Sequence, residues 1–135
     1  MTNDLVSDML TRLRNASLAR HSFTTIKFSK LSLSILKVLQ DEGYIKSYET
    51  ENNSYEIRVI LKYKGWWIKK PLFSKLQRIS KPGLRVFSGY KDFNKCLDIL
   101  RYEQGTAIVS TSIGVMSHIK AKNLKKGGEI LCYIG

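Results

Sequence analysis

Apolar side chains recur at three- and four-residue intervals through Leu5, Met9, Leu10, Leu13 and Ala16, the period of a helix with one buried face. Thr2 or Asn3 is placed to cap that helix, and Asp4 suits the positive end of its dipole. A second helix is predicted from Ser29, as cap, through about Glu42. Its core stripe is Leu31, Ile35, Val38 and Leu39, and Gly43 follows as the left-handed residue that ends it. Between the helices, Thr24 to Phe28 is rich in β-branched residues and reads as a strand. Two further strands, Tyr44 to Thr50 and Ser54 to Tyr63, are joined at Asn52-Asn53. In the second of these Tyr55, Ile57, Val59, Leu61 and Tyr63 strictly alternate, so one face is buried and the other wet.

The pattern breaks at Lys64-Gly65, and residues 65–73 (GWWIKKPLF) read as a boundary loop. Trp66 and Trp67 beside Lys69 and Lys70 could form a stacking platform for unpaired bases, but adjacent residues on an extended chain face opposite ways and only one is free to stack, so the favoured reading is that one or both seal the interface between lobes or meet a neighbouring protein. Leu76 to Ser80 and Leu84 to Ser88 are predicted strands about a Pro82-Gly83 turn, with Lys81 and Arg85 projecting near its tip. Asp92 to Gln104 fits a third helix or an extended loop. A strand at Ala107 to Val109 then leads through Ser110, Thr111, Ser112 and Gly114 into a predicted helix, Val115 to Leu124, and a closing apolar strand. The expected fold is α+β in two small lobes. Residues 1–64 form an N-terminal α-β-α-β-β lobe, and residues 65–135 a mostly β C-terminal lobe with a short basic helix.

Charge narrows the partner. The 135 residues carry 23 Lys+Arg against 11 Asp+Glu, a formal net charge of +12, which suits a large polyanion. The imbalance is concentrated in the second half, and no acid occurs between Glu56 and Asp92 while ten basic residues do. By charge alone a membrane surface ranks second to a polyanion, but no apolar run approaches the roughly 18 residues of a membrane span, so the chain is not expected to span a membrane and no membrane is taken as its partner. The acids Asp4 and Asp8 do not fit a targeting peptide. Cys96 and Cys132 lie 36 apart without a CxxC pair, and His21 and His118 have no ligand spacing, so reduced thiols, no metal site and no cofactor are expected. Each histidine is expected to face solvent or a phosphate.

In the strand-loop-helix arrangement expected for residues 107–124, short hydroxyls stand beside free helix N–H groups, which suits sugar and phosphate oxygens. A strand-to-helix cap alone needs one hydroxyl of the three. An enzyme reading rests on Ser117 to Lys120 and Ser34 to Lys37, which match S-x-x-K. A serine–lysine hydrolase needs a buried lysine, whereas Lys120 shares its segment with Lys122, Lys125 and Lys126, so no catalytic residues and no small-molecule substrate are expected.

The segment Ser110-Thr111-Ser112, Gly114-Val115-Met116, Gly127-Gly128-Glu129 and Cys132-Tyr133 resembles the C-terminal signature of the small-subunit ribosomal protein eight family, of bacterial and organellar type. Asp8 to Ala16 and Arg78 to Arg85 agree with two further blocks, so the resemblance runs along nearly the whole chain. It implies a structural protein that binds the central domain of small-subunit ribosomal RNA early in assembly, beside neighbouring small-subunit ribosomal proteins. It also implies roles for particular residues. Ser110, Thr111, Ser112 and Gly114 would face sugar and backbone, with Glu129 and Tyr133 nearby, Glu129 orienting donors. Lys81 and Arg85 would be backbone contacts, and Thr11, Arg14, Asn15 and Lys30 would be contacts of the N-terminal lobe. Ile113, Ser117-His118-Ile119, Phe87 and the segment 98–104 depart from the family pattern and suggest a divergent, plastid version, with bacterial cytoplasm or a mitochondrion as alternatives. The rival reading is a free-standing RNA chaperone or regulator.

Overall fold

The structure, a computed structural model, describes residues 5–50, 55–65, 70–71, 75–93 and 105–135. Its contacts divide the chain into two compact units, one running through Ser74 and the other from Lys75 to Gly135. Helices and antiparallel sheets make both, an α+β fold.

In the first unit, α1 (Leu5–Leu18), β1 (Phe23–Lys27), α2 (Lys30–Asp41), β2 (Ile45–Thr50) and β3 (Glu56–Leu61) follow in order. The strands form an antiparallel sheet with β3 between β1 and β2. Val6, Met9, Leu10, Leu13 and Ala16 of α1 are buried, as the helical period requires. Its expected caps lie outside the described residues. On β3, Ile57, Val59 and Leu61 are buried while Glu56 and Arg58 face out, the two-residue alternation of a half-buried strand. Tyr55, expected to continue the inner row, is exposed just ahead of β3, and Asn52-Asn53 lie outside the described residues.

Ser29 caps α2 by accepting from the Ser32 N–H at 2.9 Å, and Gly43 follows the helix at φ 83, where glycine carries no Cβ penalty. The core stripe differs from the expected one at its start. Ser32, Ile35, Leu36, Val38 and Leu39 are inside and Leu31 is exposed. Both sets satisfy the helical period, and the Ser29 hydroxyl, bonded also to Ser32 Oγ at 2.8 Å, holds the first turn with Ser32 inward. The two-residue strand β4 (Tyr63–Lys64), just before the expected boundary loop, pairs antiparallel with β5 (Lys70–Pro71) within it. Trp66, Trp67 and Lys69 lie outside the described residues.

The second unit is a five-stranded sheet built around β10 (Gly128–Ile134), which pairs with β6 (Leu76–Arg78), β7 (Phe87–Ser88) and β8 (Thr106–Thr111); β9 (Gly114–Ser117) adds to β8. Phe93, Ala107, Val109, Met116, Ala121 and Ile130 form its core cluster, with α3 (His118–Asn123) contributing Ala121. The predicted strand at 84–88 shrinks to Phe87–Ser88, because Lys81 and Leu84 exchange backbone hydrogen bonds of 2.9 and 3.0 Å across Pro82-Gly83. Of the segment 92–104, Phe93 is buried in the core and residues 94–104 lie outside the described residues.

The largest correction concerns the hydroxyl segment. The expected helix from Val115 is instead a β-hairpin, β8 to β9, and α3 begins only at His118. Val115 and Met116 pair with Ser110 and Val109 in the sheet, Met116 is buried in the core, and Gly114 sits at φ 136, outside helical backbone space. Sheet pairing and burial of Met116 together win over the helical period.

Candidate nucleic-acid interface

The hairpin tip is closed by one side chain. Thr111 Oγ1 donates to the Gly114 carbonyl at 2.8 Å and accepts from the Ile113 N–H at 3.3 Å, leaving Ser112, Ile113 and Gly114 exposed. The Thr111 hydroxyl is thereby committed to the turn. Those of Ser110 and Ser112 have no hydrogen-bond partner among the described residues; Ser112 is exposed and Ser110 half-buried. They stand at the end of a hairpin, not at a helix entrance, so the helix N–H groups expected to join them belong elsewhere. Ser117 takes that cap, its Oγ accepting from the Lys120 N–H at 3.2 Å.

The sheet register gathers the rest. Ser110 lies opposite Glu129, and Glu129 opposite Phe87; Thr111 lies opposite Gly128, and Gly128 opposite Ser88. Gly127 and Gly128 have no room for a side chain: a Cβ on Gly128 would collide with the Ser110 carbonyl, and one on Gly127 with the Ser88 carbonyl. The glycine pair therefore lets three backbones approach at this end of the sheet. The role of these glycines is a steric one that sequence spacing did not show.

Glu129 turns toward Arg85, whose Nη1 lies 3.1 Å from its Oε1, with the carboxylate more buried than the guanidinium. An anion at the sheet end thus holds a cation at its rim, and Arg85 is oriented by Glu129 rather than paired with Lys81 at the turn tip. Lys81 is exposed. Burial, and after it the neighbouring Arg85 cation, holds the Arg78 guanidinium below its usual range. Tyr133 does not reach this surface. It is 1% exposed, and its ring packs where a Cβ on Gly105 would stand.

In the first unit, Thr11, Arg14 and Asn15 share an exposed face of α1 at helical spacing, and Lys30 stands exposed at the start of α2. Exposed lysines missed as site candidates are Lys120, Lys122, Lys125 and Lys126 on and just after α3. Their crowding in the sequence was the available signal.

Both S-x-x-K matches have structural explanations. Ser117 is the cap of α3, and Ser34 Oγ donates back to the Lys30 carbonyl at 3.0 Å within α2. His118, expected near solvent or phosphate, is instead buried; its Nδ1 accepts the Ala107 N–H at 3.0 Å and its ring meets Phe93 edge-on. Burial pushes the Cys132 thiol up to about 12, so it stays protonated and unreactive at neutral pH. Among the described residues no three His, Cys, Asp or Glu side chains gather as metal ligands, and no helix is long and apolar enough to cross a membrane.

The site therefore offers hydroxyls, bare backbone and one oriented cation, Arg85. The family model for ribosomal protein S8 matches residues 4–134. A small ribosomal subunit protein uS8c of Phaeodactylum tricornutum is 49% identical over 99% of both chains, as is that of Gracilaria tenuistipitata. The small ribosomal subunit protein uS8 of the cyanobacterium Acaryochloris marina is 45% identical over 98% of this chain and 97% of its own. By a family match over nearly its whole length, the chain belongs to the ribosomal protein S8 family, of bacterial and plastid type.

Proposed function

We propose that this protein is a structural constituent of the small ribosomal subunit of a plastid, where it binds the central domain of the small-subunit RNA and supports its assembly. The observation that carries the reading is the sheet end that brings together the Ser110 hydroxyl opposite Glu129, the exposed turn at Ser112 and Gly114, and the Arg85–Glu129 pair. A-form RNA hides its base edges in a deep groove and presents 2′-hydroxyls and phosphates across a shallow one. Short hydroxyls and glycine backbone approach such a surface closely, where long cationic side chains do not.

The mechanism is binding. Lys81 and the α3 lysines attract the phosphate backbone over a distance, and the hairpin tip fixes register once contact is made. Glu129 serves by aiming Arg85, and Tyr133 by supporting β10 from within. Thr11, Arg14, Asn15 and Lys30 offer a second set of contacts from the first unit. Neighbouring small-subunit proteins are the expected protein partners.

A hydroxyl-radical footprint of the purified protein on small-subunit RNA tests this. One protected helix in the central domain is expected, retained under salt that removes loosely bound proteins. Diffuse protection that washes away would favour a free-standing RNA chaperone.

A further inference from the structure

The end of α1 and the start of β1 enclose an open groove of about 360 Å³ lined by Arg12, Asn15, Ala16, Ala19, His21 and Thr24. Most of its surface is apolar, with Ala16 and Ala19 leaving space, and its polar atoms come from the residues around them.

The lining is held in place. After α1 the chain reverses at Arg20, which adopts φ 58, the left-handed conformation that glycine normally fills at a helix end. That reversal is fixed by Arg20 N–H on the Ser17 carbonyl and His21 N–H on the Ala16 carbonyl, at 3.1 and 3.0 Å. From the far side, the Tyr63 hydroxyl donates to the His21 carbonyl. Arg12 is anchored twice, its Nε 3.1 Å from Asp8 Oδ2 and its Nη1 3.3 Å from the Thr25 carbonyl.

Those anchors decide what the groove can take. The Asp8 carboxylate and the Thr25 carbonyl hold the edge of the Arg12 guanidinium and fix its plane. The guanidinium plane, the imidazole of His21 and the amide of Asn15 remain, around a small apolar floor. Flat, π-faced groups with hydrogen-bonding edges suit this set, and an unstacked base of a folded RNA is such a group. The strong positive charge of the chain makes a polyanion its natural partner.

We propose that this groove receives one unpaired nucleobase, turned out of the RNA, as a second point of attachment separate from the β8–β9 hairpin. The inference rests on the RNA-binding reading above. Base insertion adds affinity without releasing counterions, so it differs in salt response from a phosphate contact.

The test uses the full chain and a transcript of the central domain of small-subunit RNA. Ala19→Leu fills the exposed floor of the groove, and His21→Ala removes the imidazole while keeping the backbone bonds at His21. Each is expected to weaken binding about tenfold, the scale of one stacked base. The slope of log affinity against log salt is expected to stay at the wild-type value, with unchanged circular dichroism and melting temperature. Wild-type affinity in both variants, or a loss accompanied by a shallower salt slope, would overturn the proposal while leaving the hairpin reading intact. A wild-type chain that does not bind the transcript would overturn both.

Discussion

Gly128 and Gly83 are the same residue type under opposite constraints. A methyl group on Gly128 meets the Ser110 carbonyl, whereas one on Gly83 meets nothing within 4 Å. Gly128→Ala is therefore expected to cost about 1–3 kcal/mol, the range for overpacking, and to displace the β8 end that carries Ser110. Gly83→Ala should be neutral or stabilise by up to about 1 kcal/mol through the unfolded chain. Urea unfolding of the two variants checks the contrast, and equal losses would contradict the steric account of the glycine pair. The same scale separates contact from support among the candidate residues. Ser112 is exposed, Tyr133 is buried, and Glu129 spends its charge on Arg85.

At the scale of elements, Ser117 ends β9 and caps α3, so one hydroxyl sets the boundary between two structures. Ser117→Ala should cost about 1 kcal/mol, the usual loss of an N-cap, with no ester hydrolysis to lose. Thermal melting and a generic ester assay measure the two halves of that expectation. The first unit was legible because α1, α2 and β3 each repeat one period over several turns or pairs, and local pattern and burial agree there. The hydroxyl segment was not. Val115-Met116-Ser117-His118 is too short to show a period, and its state is set by pairing with Ser110 and Val109 and by burial of Met116. Leu31 was misjudged for a smaller reason, since two overlapping stripes fit one helix and a capping bond chose between them. The candidate site was legible in part. Its hydroxyls were visible as a run, but the Arg85–Glu129 pair joins residues 44 apart and appears only once β7 and β10 are adjacent.

For the whole molecule, the proposed function gives each unit its own surface for RNA: the exposed face of α1 with its adjoining groove in the first, the hairpin tip and its lysines in the second. The proposed division of the grip, between hydroxyls that fix register and cations that attract, makes a distinct demand on one residue. Ser112 carries no charge and no internal hydrogen bond among the described residues, so removing its hydroxyl tests contact without disturbing fold or electrostatics. The decisive measurement is the affinity of Ser112→Ala for the central-domain transcript against that of the unaltered chain, at matched salt and with melting temperatures compared. A loss of about three- to tenfold, the worth of one hydrogen bond, with unchanged melting temperature and unchanged salt slope is predicted. Equal affinity of the two proteins would contradict the assignment of the hairpin tip as the RNA-holding surface.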